Sequence, residues 1–173
     1  MWFNCWSSQK PVAAAGCFFT NGHHLLAGYQ PTKKKPIISG IGGRVKDGET
    51  WYQTTIRELF EELLEIHTLP DGFISEISEA VTFSHAFLSK KYTFTLYTFK
   101  DLETILKQAA QAGMQSPLYP DGIPQTISDL IFKRSYESAT EVKQLVLLPL
   151  TDTMTIDNAL VQDVKDYLKY YPL

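Results

Sequence analysis

The sequence predicts an α/β protein, and three stretches carry that prediction. Residues 13–30, AAAGCFFTNGHHLLAGYQ, place Asn21-Gly22 between two apolar runs, the strongest short-range signal for a β-hairpin. In residues 91–100, KYTFTLYTFK, the side chains Tyr92, Phe94, Leu96 and Thr98 point one way and Thr93, Thr95, Tyr97 and Phe99 the other, the period of a strand. Residues 50–66 contain no Gly or Pro and set Ile56, Leu59, Phe60, Leu63 and Leu64 on one side at helical spacing. They predict an amphipathic helix of about four turns.

In chain order, Trp2, Phe3 and Trp6 precede Pro11 and are read as aromatics that cap the core. In the hairpin, His23 and His24 are neighbours on an extended segment, so their side chains point to opposite faces and they are read as ordinary turn residues. Pro31 and Pro36 then enclose Lys33, Lys34 and Lys35 in an exposed loop. A lysine run is usually solvated charge, yet this one lies just before the acidic helix, which makes it the first candidate for a phosphate-side contact. Residues 37–43 form a short strand that ends in Gly42-Gly43. Thr50 is a natural N-cap, and Gln53 three residues on completes a capping box.

Beyond the helix, residues 68–72 make a turn, and 77–85 and 91–100 read as two strands joined near Ser89-Lys90, with His85 at the end of the first as a candidate substrate contact. Residues 101–140 read as a helix over 102–112, a turn-rich segment over 113–124 and a short helix over 127–133. A connection of about 40 residues between core strands is long, and long structured insertions often carry specificity. This insertion is therefore expected to lid a substrate, with Tyr119, Tyr136, Lys133 and Arg134 as its stacking and phosphate candidates. Residues 141–150, EVKQLVLLPL, are a strand ending at Pro149, and 157–170 form a closing amphipathic helix.

A length of 173 residues with 44% hydrophobic content fits one domain, 1–173. The formal net charge of −3 is unlike the strongly basic balance of most nucleic-acid binders. Cys5 and Cys17 match no metal spacing and are read as free thiols. No apolar run approaches the roughly 20 residues of a membrane span, and the first ten residues lack the basic start and apolar core of a signal peptide. The expectation is a cytoplasmic protein without membrane partners, as monomer or homodimer.

The other side of the predicted helix carries the chemistry. At about 100° per residue, Arg57, Glu58, Glu61 and Glu62 share one side, with three carboxylates inside roughly 100° of arc. Carboxylates so crowded repel one another, and a hard divalent cation taking oxygen ligands offsets that repulsion. Taken alone, such a run is more often a solvated acidic face. The residues upstream of it tip the balance toward a site.

Gly43, Glu49, Arg57, Glu58, Leu59, Glu61 and Glu62 stand at the spacing of the Nudix box, G-x5-E-x7-R-E-U-x-E-E-x-G-U, where U is aliphatic. The segment resembles that motif at every charged position and departs from it at Leu64, where the family has Gly, and at Glu65, where it has an aliphatic residue. The departures put the exit of the helix in question more than its acidic face.

The resemblance implies an α/β/α sandwich around a mixed sheet. It also implies hydrolysis of a nucleoside diphosphate linked to another moiety, with Mg²⁺ or Mn²⁺. By the same match Glu58, Glu61 and Glu62 would be metal ligands, joined by the carbonyl of Gly42. Arg57 and Glu49 would pair across the loop–helix junction and orient the box, which suits the planar fork of arginine. A box carboxylate, or Glu141 or Glu137 outside it, would act as general base. Nucleotides, dinucleoside polyphosphates, capped RNA and diphosphoinositol phosphates stay open as substrates. The competing class is a nucleotide-sensing module on the same fold; intact Glu58, Glu61 and Glu62 argue against it.

Overall fold

The computed structural model describes residues 12–31, 36–82, 85–89, 92–136 and 141–150, and of 85–89 only the backbone. The aromatic N-terminal residues, Lys33, Lys34 and Lys35, Glu137 and the closing helix expected over 157–170 lie outside these residues. Among the described residues no helix is long and apolar enough to cross a membrane.

Strands β1 (Ala14–Thr20) and β2 (His24–Gln30) form the expected antiparallel hairpin, with Phe19 opposite Leu26 and Thr20 opposite Leu25. That register centres the turn on Gly22 and His23, one residue later than an Asn-Gly turn. The Asn21 side chain is the reason: its Oδ1 accepts from the amides of His23 and His24 at 3.0 and 2.8 Å, while Gly22 takes φ 84°. The single strand expected over 37–43 is broken at Gly40 into β3 (Ile37–Ser39), which pairs with β2, and β4 (Ile41–Arg44), which pairs with β1. The Gly pair is thereby carried to the edge of β1 that faces the box helix.

Helix α1 (Trp51–Leu64) has the predicted capping box: the Thr50 side chain accepts from the Gln53 amide, and the Gln53 side chain from the Thr50 amide. It ends two residues short of the expected Ile66. Leu64, where the family has Gly, is helical and fully buried; the chain reverses at Glu65, whose φ of 56° makes it the one non-glycine in the left-handed region among the described residues. Left-handed backbone costs an ordinary residue about 1–2 kcal/mol. Glu65→Gly should therefore stabilise by about 0.5–1 kcal/mol after the added unfolded-state entropy, raising Tm by roughly 2–4 °C. A thermal melt checks this, and a lowered Tm would contradict it.

Residues 77–80, expected in a strand, belong instead to helix α2 (Phe73–Ala80). Phe73 and Ile77, four apart, are both buried, and that spacing prevails over the alternation that suggested a strand. Strand β5 (His85–Ser89) pairs antiparallel with β6 (Tyr92–Thr98), which runs parallel to β1 over its whole length. The strand expected to reach residue 100 stops at Thr98 because Thr98 and Asp101 form a second capping box and open α3 (Phe99–Gln111). Helix α4 (Ile127–Phe132) and strand β7 (Gln144–Pro149) follow, with β7 antiparallel to β2.

The result is a mixed sheet in the order β3-β2-β1-β6-β5, with β4 on β1 and β7 on β2. Strand alternation splits its apolar residues between two faces, in β6 as predicted. Cys17, Phe19, Leu26 and Tyr97 face a core shared with all four described helices, while Phe18, Leu25, Phe94 and Leu96 build a second cluster on the opposite face. Residues 101–136 differ from the expected lid. Leu102, Ile105, Leu118, Tyr119, Ile127 and Leu130 are buried in the same core as α1, and burying that much apolar surface ties the segment to the domain.

Candidate active site

One guanidinium organises the polar face of α1. Arg57 Nε and Nη2 donate to the two oxygens of Glu49 at 2.7 and 3.0 Å, the expected bidentate pair across the loop–helix junction. Its Nη1 donates to Glu58 at 2.6 Å and to Glu61 at 3.0 Å, and Nη2 also reaches the carbonyl of Arg44 at 3.0 Å. Glu49 is held further by the hydroxyl of Thr54 at 2.8 Å and the amide of Lys46 at 3.1 Å. Lys46 adds an ion pair to Glu61 at 3.4 Å. Glu62 turns toward the sheet, where its carboxylate accepts from the Gly42 amide at 2.8 Å.

Gly43 explains its own place in the motif. A Cβ there would fall on the carboxylate of Glu58, the far end of a flexible side chain, so a larger residue would push that carboxylate off its present place on Arg57.

Charge is tuned accordingly. Hydrogen bonds from Arg57 lead the causes that lower the Glu49 pKa from 4.5 to about 2. Burial raises the pKa of Glu58, with Arg57 opposing it. Burial disfavours charge on Arg57 as well, but the hydrogen bonds it donates to Glu49 and Glu58 outweigh it and hold its pKa above the ordinary value.

The donor set fits a hard divalent cation by its chemistry: carboxylate oxygens from successive turns of one helix, beside a strand kept clear by glycine. As placed, two of the carboxylates converge on Arg57 and the third on an amide. Among the described residues no three acidic, histidine or cysteine side chains meet as a ready-made metal cage.

The fold therefore brings together Gly42, Gly43, Glu49, Arg57, Glu58, Glu61 and Glu62. His85 lies on β5, opposite Leu96 of β6, and its side chain is not described. Glu141 is exposed just ahead of β7. Lys133, just past the end of α4, makes an exposed ion pair with Asp129 of that helix, and Tyr136 is exposed.

Two candidates are corrected. Arg134, expected to meet a phosphate, is 3% exposed, and its guanidinium donates to the carbonyls of Glu62, Leu63 and Val142. Tyr119, expected to stack on a base, is buried and donates to the carbonyl of Leu130 at 2.6 Å. Sequence reasoning missed Lys46 and Thr54. Thr54 carried a signal, since it stands three residues before Arg57 and so on the same helical face; Lys46, in the turn before the helix, carried none.

The chain belongs to the NUDIX domain family, whose family model matches residues 10–115. The mixed sheet with its flanking helices is the Nudix fold. No curated protein matches it in sequence. Among solved structures it is similar to a bifunctional NMN adenylyltransferase/ADP ribose pyrophosphatase from Francisella tularensis, complexed with AMP and a Mn ion, at 17% identity and TM-score 0.49. That match covers 95% of this chain, which spans 43% of the Francisella protein. It is also similar to a C. elegans Ap4A hydrolase (16% identity, TM-score 0.47, covering 92% of this chain and 97% of that one). A study of MutT from Aliivibrio salmonicida and Vibrio cholerae supplies a third similar structure (16% identity, TM-score 0.46, 93% and 99% covered).

Proposed function

We propose that this chain hydrolyses a pyrophosphate bond in a nucleoside diphosphate linked to another moiety, with Mg²⁺ or Mn²⁺ as cofactor. The observation that carries the reading is the Arg57 hub, which binds Glu49, Glu58 and Glu61 into one array beside Gly42 and Glu62. In this reading Glu58, Glu61, Glu62 and the Gly42 carbonyl hold the metal, which when bound neutralises phosphate charge and makes water a competent nucleophile near neutral pH. Arg57 and Glu49 do not touch the substrate. They fix the helix against the preceding loop so that the carboxylates keep their spacing, and a box carboxylate or Glu141 takes the proton of the attacking water.

The test is a panel of nucleoside triphosphates, dinucleoside polyphosphates, capped RNA and diphosphoinositol phosphates, each with Mg²⁺, Mn²⁺ or EDTA. The expected result is release of phosphate or a nucleoside monophosphate that EDTA abolishes. Nucleotide binding with no turnover across the panel would overturn the enzyme in favour of a binding module.

A further inference from the structure

The last turn of α1 is closed from outside the helix. Arg134 Nη1 donates to the Leu63 carbonyl at 2.6 Å, and its Nη2 to those of Glu62 and Val142, both at 2.8 Å. The Ser116 hydroxyl donates to the Leu64 carbonyl and accepts from the Leu118 amide at 3.1 Å. Carbonyls 62, 63 and 64 are among those that a helix leaves without an internal donor. A guanidinium there also meets the negative end of the helix dipole.

Both side chains arise beyond residue 115, where the family match ends. They sit where this chain departs from the motif, at Leu64 and Glu65. Their own segment is tied together by the Ser135 amide on the Leu118 carbonyl at 2.9 Å and by Tyr119 on Leu130. Glu62 is consequently gripped at both ends, its carbonyl by Arg134 and its carboxylate by the Gly42 amide.

We infer that Arg134 and Ser116 are positioning residues, which fix the turn of α1 that carries Glu61 and Glu62 in place of the exit the motif normally supplies. The catalytic part of this inference rests on the proposed hydrolytic reading; the fixing of the turn does not. Arginine suits the task because its planar fork reaches several carbonyls at once, whereas a lysine ammonium at the end of a flexible stem does not.

Arg134→Met, Arg134→Lys and Ser116→Ala, each compared with wild type below its melting range, test it by three readouts. The first is amide hydrogen exchange over residues 61–66, expected to quicken about 10-fold or more in Arg134→Met as the last turn loosens. The second is Mn²⁺ affinity followed by the EPR signal of the free ion, and the third is kcat against KM. Support shells of this kind affect metal affinity or activity by about 10–100-fold. We expect Mn²⁺ affinity and kcat to fall by about 10-fold with KM nearly unchanged, Arg134→Lys to recover part of the loss, and Ser116→Ala to shift the same way by less.

A lowered Tm with unchanged Mn²⁺ affinity and kcat would make the contact merely structural and overturn the inference, as would unchanged exchange. Should Arg134→Met not fold, Ser116→Ala and Arg134→Lys decide by the same criteria. Should wild type bind Mn²⁺ but turn over no substrate, the hydrolytic reading falls, while exchange and Mn²⁺ affinity still decide the role of Arg134.

Discussion

Glu61→Gln should lower kcat/KM by about 100-fold or more, which corresponds to roughly 2.7 kcal/mol of lost transition-state stabilisation. The substitution keeps the volume and removes one negative charge from the array. Gln retains a carbonyl oxygen that can accept from Arg57 Nη1 as Glu61 does now at 3.0 Å. Arg57 keeps both oxygens of Glu49 and one of Glu58. The weak contact with Lys46 at 3.4 Å is partly solvated and contributes little. We therefore expect Tm to stay within about 2 °C, so that lost activity reports on chemistry and not on folding. Equal turnover by wild type and Glu61→Gln would remove Glu61 from the metal shell.

Arg57→Met should injure stability and activity together. The guanidinium is the shared donor for three carboxylates, and its removal leaves them facing one another. Breaking a fully buried ion pair costs about 3–5 kcal/mol. These side chains retain 11–21% of their exposure, so solvent takes up part of that cost. About 2–3 kcal/mol is expected, a drop in Tm of roughly 5–10 °C, together with a fall in kcat of about 10–100-fold. Arg57→Lys keeps the charge without the bidentate fork and should recover stability better than activity.

The pH dependence of the same variant is a sharper signature. Glu49 is more acidic folded, about 2, than its ordinary 4.5. Its pairing with Arg57 therefore contributes fully above about pH 4.5 and is lost as the pH falls toward about 2. Wild type should lose this increment of stability across that window, and Arg57→Met should show a flatter curve there. Parallel acid-unfolding curves for the two proteins would mean that Arg57 does not set the acidity of Glu49.

Much of the fold was legible where one local pattern had no competitor. The alternation in residues 92–98 assigned Phe94 and Leu96 to one face and Tyr97 to the other, and the structure has them so. The capping box at Thr50 opened α1 where the pattern placed it. Errors arose where two local signals competed. At residues 77–80 a helical i,i+4 pair prevailed over a strand-like run, and at Thr98 a capping box ended a strand that alternation alone would have continued. At the hairpin, the Asn21 side chain moved the turn by one residue.

The site divides in the same way. Helical periodicity set Arg57, Glu58, Glu61 and Glu62 on one face, and the resemblance to the Nudix box joined Gly43 and Glu49 to them across a short loop. What only the tertiary structure decided is the use of residues from far along the chain. Arg134 looked like a phosphate ligand by its type, and packing buried it under carbonyls 71 and 72 positions away. Burying a guanidinium without partners is costly, and the unanswered carbonyls of α1 lay within reach of the two Nη groups of Arg134, while its Nε stays unpaired. Such a pairing leaves no period in the sequence, since its partners meet only after the sheet and helices have closed around them.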